Sequence, residues 1–95
     1  SAVDNIMLNL ASDYNANKAA KIIVSVSINA DTDLYEMFEL NALKKGASWV
    51  YSEVKLGDNT LVSFDITAAG QMNFSSSTYT GFVSGEMKVK VIPLI

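Results

Sequence analysis

The chain has 95 residues, of which 49% are hydrophobic, and a formal net charge of −3 with no His and no Cys. This length fits a single domain, residues 1–95, with one two-layer core. The composition excludes disulfides, removes the usual zinc ligands and leaves no His to activate a nucleophile.

The cationic residues argue against a nucleic-acid partner. All seven are Lys, and only Lys44-Lys45 and Lys88/Lys90 cluster, whereas nucleic-acid readers favour Arg and a basic patch. No stretch approaches the roughly 20 apolar residues that a membrane-spanning helix needs, so no membrane insertion is expected. The start at Ser1 shows no signal peptide and no Met. Either a Met was removed before Ser1 or the chain is cut from a longer protein, and we favour the second.

The first half of the chain predicts strands separated by polar turns. Ile6, Leu8 and Leu10 alternate with other residues and predict a strand, and residues 13–17 predict a turn. Along residues 20–28, apolar side chains lie on one face of the predicted strand and mostly polar side chains lie on the other. This is the pattern of a half-buried antiparallel strand.

Residues 34–43 are compatible with two structures. Leu34, Met37, Phe38 and Leu40 would form a stripe on a helix that Asp33 caps. We favour a strand, because a hairpin follows naturally through a tight turn at Lys45-Gly46. The predicted register pairs Lys44 with Ala47, Ala42 with Trp49, Leu40 with Tyr51 and Phe38 with Glu53.

This predicted hairpin is apolar on both faces. One face carries Phe38, Leu40, Ala42, Trp49 and Tyr51, and the other carries Tyr35, Met37, Leu43, Val50, Val54 and Leu56. A sandwich sheet needs only one apolar face. The second face is therefore expected to be covered by another part of the domain, by a second protomer or by a ligand.

The rest of the chain continues the strand pattern. Strands are predicted over residues 61–66, around Met72 and Phe74, and over residues 86–91, with turns at 57–59 and 68–70. Pro93 marks a strand end or an edge. The total of seven or eight short strands predicts an all-β protein, an antiparallel β-sandwich that is jelly-roll-like.

No catalytic, cofactor-binding or metal-binding residues are predicted. The carboxylates Glu36/Glu39, Asp31/Asp33 and Asp58 lie in turns and strands without a marked cleft, and Asp31-Thr32-Asp33 is only half of a calcium loop. The remaining candidates are contact residues for a protein interface or a glycan, since aromatic side chains anchor interfaces. They are Tyr35, Met37, Trp49, Tyr51 and Tyr79.

Residues 18–92 resemble a small β-sandwich domain of tailed-bacteriophage virion structural and tail-fibre proteins. The matching pieces are Ala20-Lys21-Ile22-Ile23-Val24-Ser25-Val26, Glu39-Leu40 through Lys45-Gly46, Val50-Tyr51-Ser52-Glu53, Phe64-Asp65-Ile66 with Ala69-Gly70, and Met87-Lys88-Val89-Lys90-Val91. Lys45 stands where the family pattern favours Asp. The resemblance implies a non-enzymatic virion component that works as a homotrimer or within a larger assembly. It also implies structural roles for Glu39 and Glu53, which match acidic positions of the family.

Three functions follow as hypotheses. The first is a phage virion structural module, located in a fibre, a spike or a capsid-attached domain, with other copies and virion proteins as partners. The second is a carbohydrate-binding module that recognises a host surface glycan through Trp49, Tyr51 or Tyr79. The third is a partner-binding domain such as an immunity-type inhibitor, which is favoured if residues 34–43 are helical.

Overall fold

The structure is a computed structural model that describes residues 5–95, so the expectations about the start at Ser1 lie outside the described residues. It contains seven strands and one short helix within that range: β1 (Asn5–Asn9), α1 (Leu10–Tyr14), β2 (Ala19–Asn29), β3 (Leu34–Lys45), β4 (Ser48–Gly57), β5 (Ser63–Ile66), β6 (Gln71–Ser75) and β7 (Ser84–Leu94).

These strands form two antiparallel sheets packed face to face. The large sheet has the order β4-β3-β2-β7 and the small sheet the order β1-β6-β5. The predicted all-β sandwich is therefore confirmed, while this order does not confirm the jelly-roll comparison. Residues 34–43 lie in a strand, which removes the observation that favoured the inhibitor hypothesis.

The core lies between the sheets because β2 and β3 alternate strictly between buried and wetter positions. Phe38 of β3 packs edge-to-face on Phe64 of β5, with ring centroids 4.8 Å apart and planes at 77°. The other fully buried large side chains include Leu10, Ile22, Leu40 and Met72.

The hairpin of β3 and β4 forms as predicted, but its register differs by two residues. Its turn is Gly46-Ala47, so Lys44 lies opposite Trp49 and Ala42 opposite Tyr51. Gly46 has φ +65° and takes the first central turn position, as in a type II′ turn. Since the shift is an even number of residues, every side chain keeps its predicted face.

The strand predicted through Leu10 is wrong at its end, and the turn predicted for residues 13–17 begins only at Asn15. Leu10 begins α1 instead, because the Asn9 side chain accepts hydrogen bonds from the N–H groups of Ala11 and Ser12, both at 3.0 Å. Asn15 ends the helix in the left-handed conformation, with φ 55°.

A buried hydrogen-bonded pair joins the β4–β5 connection to the large sheet. Glu36 of β3 is buried, and its Oε1 accepts from the backbone N–H of Thr60 at 2.9 Å and from the Thr60 hydroxyl at 2.7 Å. The hydroxyl of Tyr79 donates to the Thr60 carbonyl. Thr60 thus holds three parts of the chain together.

We expect Thr60→Val to lower the free energy of unfolding by about 2 kcal/mol, because it leaves a buried carboxylate without one of its two donors. Urea denaturation measures this loss. Thr80→Val is the matched control, since the Thr80 side chain is exposed. It should change the free energy of unfolding by less than about 0.5 kcal/mol. Equal losses in the two variants would contradict this role of the Glu36–Thr60 pair.

Candidate interaction surface

The outer face of the β3–β4 hairpin is exposed and largely apolar, with the polar cross-strand pair Asn41–Ser52 between its two apolar parts. We call it the hairpin outer patch, and it consists of six side chains, each at least 45% exposed: Tyr35, Met37, Leu43, Val50, Val54 and Leu56. The pairs Leu43–Val50 and Met37–Leu56 lie directly across the two strands. Regular pairing therefore fixes the patch as a flat surface rather than a mobile loop.

The rest of this outer face divides into an apolar end and a charged edge. At the end beside the Gly46 turn, the row continues from Leu43 through Ala19 to Leu94. At the β7 edge the face is charged, since Glu86 and Lys88 form an ion pair at 3.6 Å. The middle of the face carries one further ion pair, Lys21–Glu39 at 3.4 Å.

The structure brings only two of the five predicted contact residues together. Tyr35 and Met37 lie in the hairpin outer patch. Trp49 lies in the core, Tyr51 lies on the inner face of β4, and Tyr79 lines a groove between the sheets. The three rings proposed to bind a glycan therefore do not form one platform, and glycan binding stays a prediction.

Trp49 is buried, with 5% of its surface exposed, and so does not belong to the proposed contact surface. Its backbone N–H donates to the Ala68 carbonyl at 3.0 Å, which brings the β5–β6 turn over its side chain. At Gly70 in that turn, an added Cβ would lie 2.6 Å from the indole Nε1. Glycine at this position thus lets the turn close onto the ring.

The sequence did not reveal a groove of about 650 Å³ that opens between the sheets. Its walls include Val26, Ile28 and Met87, and the Tyr79 ring stacks on Phe82 with centroids 6.1 Å apart. The only sequence signal was the aromatic pair Tyr79 and Phe82, which follows the run of serines at residues 75–77. The groove is mostly apolar, and nothing in its lining selects a particular ligand.

The inner face of β4 becomes polar and more exposed beyond Trp49, where it carries Tyr51, Glu53 and Lys55. Burial, followed by the charges of Asp65 and Glu53, raises the pKa of Tyr51. Burial also raises the pKa of Glu53; the charge of Lys55 opposes this increase, and the charge of Glu36 adds to it. The charged groups that act on Glu53 thus come from β3 and β4.

Within residues 5–95, no three His, Cys, Asp or Glu side chains are grouped so that they could hold a metal ion. In the same range, no helix is long and apolar enough to span a membrane.

Comparisons with known proteins show a shared fold. No protein-family model and no curated protein matches the chain. Among solved structures, the chain is similar to the tailspike protein of Acinetobacter phage vB_ApiP_P1, with a TM-score of 0.61 and 16% sequence identity. The match covers 98% of this chain and 19% of the tailspike, so the chain spans about a fifth of that protein's length.

The raised pKa of Glu53 predicts a pH-dependent effect of Glu53→Gln. The folded chain binds this proton more tightly than the unfolded chain, so the resulting stability is present below the ordinary pKa of 4.5. It is lost as the pH rises through the folded-state pKa. Glu53→Gln should therefore unfold at higher urea concentration than the wild type at pH 7. This advantage should disappear at about pH 3.5.

Ser52→Gln is the control for this comparison, because Ser52 is uncharged and exposed on the opposite face of β4. Its effect on stability should not vary with pH. If Glu53→Gln showed the same difference from the wild type at both pH values, the pKa of Glu53 would not be raised.

Proposed function

We propose that this chain is a structural module of a bacteriophage virion, in a fibre, a spike or a capsid-attached domain. It acts through protein–protein contacts rather than by catalysis. The observation that carries the proposal is the hairpin outer patch, because an exposed apolar patch at the upper end of the size range found on soluble monomers often marks an interaction site. The fold shared with a phage tailspike supports a virion rather than a cellular setting.

The partner that fits the patch is a further copy of the same chain, with a homotrimer as the proposed state. Six half-exposed side chains of this size present roughly 500–600 Å² of apolar surface. In a trimer the patches of the three copies would meet around the threefold axis and would together bury about 1,500–1,800 Å². The apolar row through Ala19 and Leu94 adds to this area.

The test is the solution mass, measured by light scattering coupled to size exclusion. The wild type should have three times the chain mass of 10.3 kDa. Leu56→Asp places a charge at a side chain that is 68% exposed in the patch, and the mass should fall toward that of one chain. Tyr35→Ala should weaken assembly by roughly 2 kcal/mol if the ring is a hot spot.

Val83→Asp is the matched control. Val83 is 70% exposed and precedes β7, away from the hairpin outer patch, so this variant should keep the wild-type mass. A wild-type chain that is monomeric at all concentrations would overturn self-assembly. A loss of assembly that is equal in Leu56→Asp and Val83→Asp would overturn the assignment of the interface to this patch.

A further inference from the structure

The Lys21–Glu39 ion pair lies in the middle of the outer face, where three of its four cross-strand neighbours are apolar. Glu39 is flanked by Val54 on β4 and Ile23 on β2, while Lys21 is flanked by Asn41 on β3 and Ile92 on β7. The two charged side chains are diagonal neighbours, with 3.4 Å between Nζ and Oε1. Any partner that covers the hairpin outer patch would also approach this pair.

The pair retains unused hydrogen-bonding capacity in the single chain. A lysine ammonium has three donors and a carboxylate has two acceptor oxygens. Among the residues that the structure describes, Lys21 and Glu39 form an ion pair only with each other. The side chains are 46% and 37% exposed, so water satisfies the remaining groups until a partner excludes it.

Covering the pair would be costly unless the partner supplies new contacts. Removing charges from water costs several kcal/mol per ion, and further hydrogen bonds are needed to offset that cost. A second copy supplies the required groups, because its own outer face carries one Lys21 and one Glu39. The charges of the pair are therefore complementary to those of an identical chain.

We infer that Lys21 and Glu39 form reciprocal ion pairs with Glu39 and Lys21 of neighbouring copies. These pairs fix how the outer faces align and make assembly selective for the same chain. The inference rests on the proposed function, since it requires self-assembly through the hairpin outer patch. The apolar residues of the patch supply the area of the interface, and the two charges select its register.

A double charge reversal, Lys21→Glu with Glu39→Lys, provides the test. Each copy of the double variant would still find opposite charges on its own kind. In a contact between the variant and the wild type, Lys would face Lys and Glu would face Glu. If Lys21 and Glu39 pair only within one chain, the double reversal keeps that ion pair. The variant and the wild type would then meet without repulsion between like charges.

The experiment mixes wild-type and double-variant chains in urea, refolds them together, and reads the composition of the oligomers by native mass spectrometry. We expect both chains to assemble separately, with mixed oligomers depleted about tenfold or more against the statistical proportion. The single variant Glu39→Lys should assemble more weakly than the wild type by a similar factor. Circular dichroism and urea unfolding verify that the variants fold.

The matched control reverses the second ion pair of the same face, with Glu86→Lys and Lys88→Glu. Those side chains are 67% and 76% exposed at the β7 edge, outside the hairpin outer patch. This control variant should form mixed oligomers with the wild type in statistical proportion.

Three other outcomes of these experiments would contradict the proposals. Statistical mixing of the Lys21/Glu39 double variant with the wild type would overturn the reciprocal pairs and leave the proposed function intact. A double variant that folds but does not assemble, beside an oligomeric wild type, would also overturn them. A monomeric wild type would instead overturn the proposed function itself.

Discussion

The difference in size between the two sheets is the constraint on which the other features of this domain depend. A sheet of three short strands cannot cover the inner face of a sheet of four long ones. The uncovered area appears in two places, as the groove beside Tyr79 and as the polar inner face of β4 around Glu53. Because side chains alternate along a strand and Trp49 points inward, Val54 and Leu56 of β4 point outward. The hairpin outer patch therefore follows from this alternation, and the small sheet lies on the opposite face of the hairpin.

Local patterns in the sequence predicted most of the strands and the two-faced hairpin, but not the details set by single side chains. Alternation along residues 20–28 was enough to place β2. The helix after Asn9 depends on one side-chain cap, which an alternating pattern does not reveal. The hairpin register depends on which residues flank Gly46. The burial of Trp49 depends on a turn some twenty residues further along the chain. The predicted outer face of the hairpin was nevertheless correct, because a register shift of two residues leaves every side chain on the same face.

The two edges of the large sheet are protected in different ways. At the β7 edge, Pro93 has no N–H to donate and Lys88 and Lys90 are exposed, which discourages pairing with another strand. At the β4 edge, the charged residues Glu53 and Lys55 point toward the core side instead. Charges that point inward on an edge strand oppose extension of the sheet. Both edges thus oppose pairing with a further strand, which leaves the outer face, where the ion pair of Lys21 and Glu39 lies, as the surface for the proposed contacts between copies.

The position of β2 in the large sheet also has a kinetic consequence. β2 pairs with β3 along a local hairpin, but its other neighbour is β7, so Ile22 lies opposite both Leu40 and Val91. The second pairing closes a loop that contains most of the domain, and such distant contacts form slowly. While β7 is undocked, one backbone edge of β2 has no partner strand, and an open edge of this kind can pair with another chain.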